Sequence, residues 1–504
     1  MKNNIKFYLL LVGTAIFTFV FWKQSIGINS LIFSVFLVSS LVYLFPESLK
    51  SKNTLIVYSG TIITSLVITI HASSLLIFIW ILSLFFLQAL VHYPKIKTLF
   101  SGGITGLVSY ILLPMLLHEN IKKDNKVFKK SLKIFKIIRF IIIPIIVLWL
   151  FYWIYKIAVP EFDKLTNTFL GKINIWISDI FENISFGILF MIFWAFITMG
   201  WYFYKRKKDN IRPRDEQFSD KIKRNRGKEA FRFSTPAGLK PLLKYENTIA
   251  TILIISVNAL LLIVNYLDIT TIWFNFKYTI DFDLKQFVHE GTYLLIFSIL
   301  LSMIIMLFYF RANLNFYKKN KILKIAAYIW IFQNLILLIS VIIRNLHYIE
   351  HFALAYLRIG LFFFLSLVIF GLITLLLKIK NNKSLFYLIK INSWALYIGF
   401  VIFAIPDWDT FIAKYNLKKY PEAFVEASYM ITLDEKTYPM IVQNKTLLNQ
   451  SSDLNSYRYF ANSYDVELDK KIKKFMKKYP EKSWLSWNYA DYKAYKYFKE
   501  KGSN

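Results

Sequence analysis

The feature that most constrains this chain is the length of its apolar runs. Phe7–Phe21, Ile28–Phe45, Thr54–Ile70, Ser73–Val91, Ile137–Val159, Ile184–Tyr204, Asn247–Leu267, Gly291–Phe310, Ile322–Ile343, Leu357–Leu377 and Leu385–Ile405 carry few charges. Runs of about twenty residues, rising 1.5 Å each as helix, match the ~30 Å hydrocarbon thickness of a bilayer. Backbone amides in lipid have no water to bond, so each run must satisfy them internally as a helix. A further stretch, Leu99–Leu117, is apolar but interrupted by Gly102, Gly103, Gly106 and Pro114. It can span, re-enter or lie at the interface. The predicted fold class is therefore all-α: a polytopic transmembrane helical bundle of eleven or twelve spans with a small C-terminal α-helical soluble domain.

Composition agrees. The chain of 504 residues is 56% hydrophobic and only 18% charged, against about 25% charged in soluble proteins. Its charged residues are 62 basic against 31 acidic, a formal net charge of +31. In a soluble protein that excess would suggest nucleic acid, but here the basic residues sit in particular loops, and no nucleic-acid partner is expected. Lys122, Lys123, Lys126, Lys129, Lys130, Lys133, Lys136 and Arg139 fill one. The loop 205–244 opens on Lys205-Arg206-Lys207-Lys208, and Arg311, Lys318, Lys319 and Lys321 mark another. Lys378, Lys380 and Lys383 mark a fourth, while the intervening connections carry Glu161, Asp163, Asp268, Asp281, Asp283 and Glu290. Positive loops face the cytoplasm. Eleven spans, with Leu99–Leu117 not crossing, put the N-terminus inside and the tail after Ile405 on the other face.

Two regions follow: a bundle over 1–405 with its basic loop 205–244, and an extramembrane helical tail over 406–504. In the tail, Leu468–Tyr479 and Trp487–Lys499 alternate apolar and charged residues at helical spacing. The N-terminal run lacks a small-residue cleavage site and leads directly into the next run, so it reads as a retained span rather than a signal peptide. There is no cysteine, which excludes disulfides, thiolate metal sites and a cysteine nucleophile.

No catalytic signature is present: no phosphate-binding glycine loop, dinucleotide fingerprint, paired-histidine zinc helix or nucleophile elbow. No cofactor is expected. His347 and His351 share a helical face, but no third ligand accompanies them. The informative pattern is a polar cluster predicted at one membrane face: His289, Glu290, Arg344, Asn345, Tyr348, Arg358 and Asp409. Charges at the boundary are placed at a cost, so they pair or serve a site. The plainer expectation is that Glu290, Arg344, Arg358 and Asp409 pair with one another and hold helix ends and tail together; the alternative is a binding or catalytic role. Asn258, Gln333, Asn334 and Asn392 fall mid-span, where interhelical hydrogen bonds are the usual reason. The partners expected are the lipid bilayer, anionic lipid at the basic loop, and an envelope protein engaging the tail.

Several segments carry a resemblance. They are Phe21-Trp22-Lys23-Gln24-Ser25-Ile26-Gly27-Ile28-Asn29, Phe287-Val288-His289-Glu290-Gly291-Thr292-Tyr293, Arg344-Asn345 through Arg358-Ile359-Gly360, Asp409 through Leu417, and Ser486-Trp487-Asn488-Tyr489, in that order. Together they resemble a family of bacterial polytopic membrane proteins known only as a domain of unknown function, of the DUF forty-one fifty-three type with its forty-one seventy-three relative. Where relatives carry a glycine-containing turn after the Arg-Asn pair, this chain has His351-Phe352-Ala353-Leu354. The resemblance implies a multi-pass bacterial membrane protein and no activity; with the loop charges, the expected place is the bacterial cytoplasmic membrane with the tail periplasmic or extracellular. The leading expectation is a non-enzymatic envelope scaffold or sensor displaying the tail. A transporter or lipid-handling protein, and a membrane enzyme acting on a lipid-linked substrate at the outer face, are the alternatives.

Overall fold

The computed structural model describes residues 2–111, 148, 161–162, 165–168, 186–204, 214–224, 242–274, 284–311, 313–419, 422–448 and 458–501. Its helices are α1 (Lys2–Phe21), α2 (Ile28–Leu44), α3 (Lys52–Ile70), α4 (Ser74–His92), α5 (Leu99–Ile111), α6 (Phe186–Phe203), α7 (Leu243–Asp268) and α8 (Leu284–Tyr309). They continue with α9 (Lys321–Phe352), α10 (Tyr356–Lys380), α11 (Leu385–Ala404), α12 (Trp408–Lys419), α13 (Tyr438–Gln443), α14 (Arg458–Lys478) and α15 (Tyr489–Lys501). Among the described residues, eight helices are long and apolar enough to cross a membrane, and Ile28–Leu44, Leu99–Ile111 and Gly187–Phe203 are shorter apolar helices. The all-α, multi-pass reading holds. The expected span Ile137–Val159 lies outside the described residues except for Leu148, and the end of the weak stretch lies outside them too. Its described part, α5, has 13 residues, about 20 Å of helix.

The chain forms two compact units. The first comprises residues 1–97, 101–214 and 480–489. Here α1 packs on α6, and α2, α3 and α4 pack in sequence. Buried hydroxyls fold back onto their own helices, as Thr14 donates to the Leu10 carbonyl (2.7 Å) and Ser34 to that of Ser30 (2.7 Å). That satisfies polar groups where no water reaches. Trp80 Nε1 donates to Ser34 Oγ (2.8 Å), tying α4 to α2.

Within this unit two of the segments that carry the resemblance meet. Ile28 N donates to the Trp487 carbonyl (2.9 Å) and Ser25 N to Ser486 Oγ (2.9 Å). Ser486 Oγ also donates to Gln24 Oε1 (2.9 Å). Gly27 permits the approach: a Cβ there would stand 2.6 Å from Ser486 C and Trp487 O. The turn after α1 and the segment before α15 are thus one structural piece.

The second unit comprises residues 98–100, 215–479 and 490–504. Its apolar core gathers α7–α10 around Trp330, Leu337, Leu338 and Leu372. The mid-span polar residues bond between helices as expected. Gln333 Nε2 donates to Asn258 Oδ1 (2.8 Å), Asn258 Nδ2 to the Ala326 carbonyl (3.0 Å), and Asn392 Nδ2 to Thr374 Oγ1 (3.0 Å). Asn334 differs, bonding back to Trp330 on its own helix (2.7 Å). At one end of the unit the described part of the basic loop joins the 381–384 turn. Lys221 bridges Lys383, Ser384 N donates to the Asp220 carbonyl (2.9 Å), and Lys390 pairs with Asp220 (2.5 Å).

Because Gly27 faces backbone rather than a side chain that could yield, Gly27→Ala is expected to destabilise the first unit by about 1–3 kcal/mol. Thermal unfolding of the detergent-solubilised full chain checks this, and an unchanged midpoint would remove the contact with Ser486–Trp487 as a stabilising element.

Candidate functional site

The predicted cluster is built at the end of the second unit where α7 and α9 terminate. Helix α9 runs on to Phe352, two turns beyond the expected boundary at Ile343, because Arg344, Asn345 and Tyr348 all turn inward and are buried. Arg344 Nη2 donates to Asp268 Oδ1 at 2.6 Å, with side chains 8% and 10% exposed. Asp268 is the last residue of α7, after which the chain winds into a π-helical segment, Ile269–Trp273. That segment is pinned to α9: Trp273 Nε1 donates to Ser340 Oγ (2.9 Å), and the His347 ring meets the Ile272 carbonyl (3.3 Å). On α8, a Cβ at Gly291 would stand 3.3 Å from Arg344 Nη1, so the absent side chain makes room for the guanidinium. The side chains of His289 and Glu290 lie outside the described residues. Breaking a buried pair such as Arg344–Asp268 costs about 3–5 kcal/mol, since it strands a charge.

Beyond α9 the chain turns sharply. Ala353, fully buried, sits at φ 58°, ψ −162°, a region that suits glycine and costs other residues about 1–3 kcal/mol. The surrounding contacts over-determine it. The Arg358 guanidinium donates to the Phe352 carbonyl (2.5 Å) and to the Ala353 carbonyl, and lies over the Tyr348 ring at 4.4 Å. The planar fork suits two adjacent carbonyls, and its face suits the ring. Asn345 Nδ2 donates to the Arg358 carbonyl (3.1 Å). From α12, Asn416 reads Leu354 reciprocally: Leu354 N donates to its Oδ1 (2.8 Å) and its Nδ2 to the Leu354 carbonyl (2.9 Å). Phe424 N donates to the His351 carbonyl (2.8 Å) and Tyr356 N to the Tyr429 hydroxyl (3.0 Å). Here too two segments that carry the resemblance meet, as Arg344–Gly360 and Asp409–Leu417 close on one turn.

Asp409 belongs to a third group. Lys436, with 2% of its side chain exposed, places Nζ 3.0 Å from Asp407, 3.3 Å from Asp409 and 3.5 Å from Asp434. Asp409 Oδ1 also accepts from the Asp434 backbone N–H (3.3 Å). Burial would pull the Lys436 ammonium down, but Asp407, Asp434 and Asp409 outweigh it and raise its pKa. Asp434 is pushed up to about 6, by burial first. Lys436 opposes that shift, while Asp409, Asp491 and Glu435 add to it.

Against the family model described as "Domain of unknown function (DUF4153)", residues 9–444 match. The chain belongs to this family. No curated protein and no solved structure matches it. In this DUF4153 protein the matched span takes in Arg344, Arg358, Asp409 and Asn416 and stops before Ser486–Tyr489.

Among the described side chains, Arg344, Arg358 and Asp409 do not pair with one another, and the expected pairing with Glu290 lies outside the described residues. Arg344 pairs with Asp268, Arg358 with backbone carbonyls, and Asp409 with Lys436. Asn345 and Tyr348 join Arg358, and Arg344 stands one residue away from them along α9. The residues that sequence reasoning missed are Asp268, Lys436 and Asn416. Asp268 carried a signal, being the first acid after an apolar run, and Asn416 carried one only as part of the Asp409–Leu417 segment; Lys436 carried none, because one lysine in a polar tail resembles any other.

Two outcomes follow from this geometry. Ala353→Gly relieves the strained φ and is expected to stabilise the chain by about 1 kcal/mol; a lowered unfolding midpoint would refute the strain. The raised Asp434 pKa means the folded tail binds that proton more tightly than the unfolded chain does. Its stabilising contribution is complete below about 3.8 and is lost as pH rises through about 6. Limited proteolysis of the tail is therefore expected to slow between pH 8 and pH 5, a trend that Asp434→Asn flattens.

Proposed function

We propose that this DUF4153 protein is a non-enzymatic scaffold of the bacterial cell envelope whose membrane bundle holds its C-terminal helical domain in a set orientation. The observation that carries this reading is the joint at the end of α9. Asn416, Tyr429 and Phe424 each bond the backbone of residues 351–356. A shared apolar core runs from Ile349, Leu354 and Ile359 through Ile412, Val425, Met430 and Leu468. A domain meant to swing free needs a linker with few contacts across it; this one shares its core with the helices that carry it. The two charged groups best suited to recognise a phosphate, Arg344 and Arg358, are spent on Asp268 and on carbonyls. That supports a mechanical role for the cluster over a catalytic one.

The same reading sets the protein in the cytoplasmic membrane with the tail on the outer face, where an envelope protein engages it. Two loops read as cytoplasmic from their charge, the one around Lys221 and the one around Lys383, are hydrogen-bonded neighbours, as a common side requires. The bilayer and anionic lipid at the basic loop complete the partners.

The test combines topology with complementation. The chain lacks cysteine, so Ser219→Cys and the exposed Ser428→Cys are labelled with a membrane-impermeant thiol reagent in intact, outer-permeable cells. Labelling at position 428 alone is expected. In a deletion strain, Asn416→Leu and a chain ending at Ile405 are expected to fail, whereas Arg344→Lys, expressed to the parent level, restores the phenotype. Rescue by the shortened chain together with failure of Arg344→Lys would replace the scaffold with a transport or enzymatic site.

A further inference from the structure

The outer face of α14 is electrostatically unbalanced. Its inner face buries Leu468 and Phe475, with Ile472 packed beside them, while Lys471 turns inward to the Ile431 carbonyl (2.9 Å). Lys470, Lys473, Lys474, Lys477 and Lys478 are all exposed. Among the described residues none of the five forms an ion pair. Positions 470 and 474, 473 and 477, and 474 and 478 are four apart, so like charges stand over one another along one stripe and destabilise the free helix. No acid falls between Asp469 and Glu481.

Two ordinary explanations cover part of this. The helix dipole favours cations in the last turn, which accounts for Lys477 and Lys478 but not for Lys470, Lys473 and Lys474. A solvated face needs charge but not one sign of it, and the first half of α14 mixes Asp465, Glu467 and Asp469 with apolar residues. A local choice that opposes the helix it sits on is expected where a partner compensates it. The face is also held rigid. Phe475 packs on Tyr479 (5.6 Å), and Tyr479 stacks on Tyr495 of α15 (4.5 Å). That helix adds exposed Lys493, again with no ion pair among the described residues.

We infer that the lysine stripe of α14 is a docking surface for the phosphate headgroups of anionic phospholipid. Phosphate is the complement of ammonium groups set a helical turn apart. The occupant is lipid because the tail follows directly from α11, a helix long and apolar enough to span a membrane, and α12 begins with a run of contacting rings. Trp408 stands edge-on to Phe411, and Phe411 stacks on Tyr415; of these, Trp and Tyr are the amphipathic aromatics enriched at bilayer interfaces. The inference deepens the scaffold reading by naming what the held domain rests on.

The experiment uses the full chain in zwitterionic nanodiscs. A fluorophore on Val466→Cys, exposed on the same stripe, reports quenching by added vesicles that carry a headgroup spin label. The basic loop cannot contribute to that signal. Phosphatidylglycerol vesicles are expected to quench and phosphatidylcholine vesicles not to. Lys473→Gln and Lys477→Gln should each weaken the apparent affinity about fivefold, and added salt should weaken the parent further. Each substitution is on the surface and conserves helix propensity, so a parent-like unfolding midpoint certifies the fold. Equal quenching by the two lipids, an affinity that both substitutions leave unchanged, or binding of soluble polyphosphate without binding of vesicles overturns the inference. The complementation result for the scaffold stands or falls separately.

Discussion

The turn between α9 and α10 is the joint on which the second unit depends. A helix ending inside a protein leaves carbonyls without partners, and here the chain must also reverse through a backbone conformation that alanine resists. Arg358 meets both demands at once, its fork taking the last carbonyls and its face lying on Tyr348. The arrangement also determines what the tail can do. Asn416 replaces the hydrogen bonds that Leu354 would otherwise lack, so the turn and α12 are stable only together.

The charged residues at this end fall into three separate solutions of one problem, which is holding charge out of water. Arg344 and Asp268 form a closed pair. Arg358 spends its donors on backbone. Lys436 gathers three carboxylates, and burial first, with the neighbouring negative charge adding to it, lifts Asp434 to about 6. The two arginines are each engaged by a partner, whereas the lysines of α14 face outward with no ion pair among the described residues.

Membership of the DUF4153 family bears on this through position rather than activity. The segments that carry the resemblance are spread along the chain, yet in each unit they converge pairwise, Gly27 on Ser486–Trp487 and Arg344–Gly360 on Asp409–Leu417, although the family match ends at residue 444. Segments that meet in space at strained or close-packed joints are restricted in residue type for packing reasons alone.

The sequence by itself determined the class of this protein. Apolar runs of spanning length admit only helices, alternating loop charge predicts a topology, and amides at mid-span, such as Asn258 and Gln333, announced bonds between helices. Those features are local or periodic, and the bilayer enforces them. Which charge meets which was decided by tertiary structure. Arg344 finds Asp268 across 76 positions of chain because α7 and α9 pack side by side, and nothing in the local pattern around either residue encodes that. The extension of α9 to Phe352 has the same origin: its last two turns are stable because Asn345, Tyr348 and Ile349 are buried by Arg358 and the tail, and burial is a property of the assembled fold.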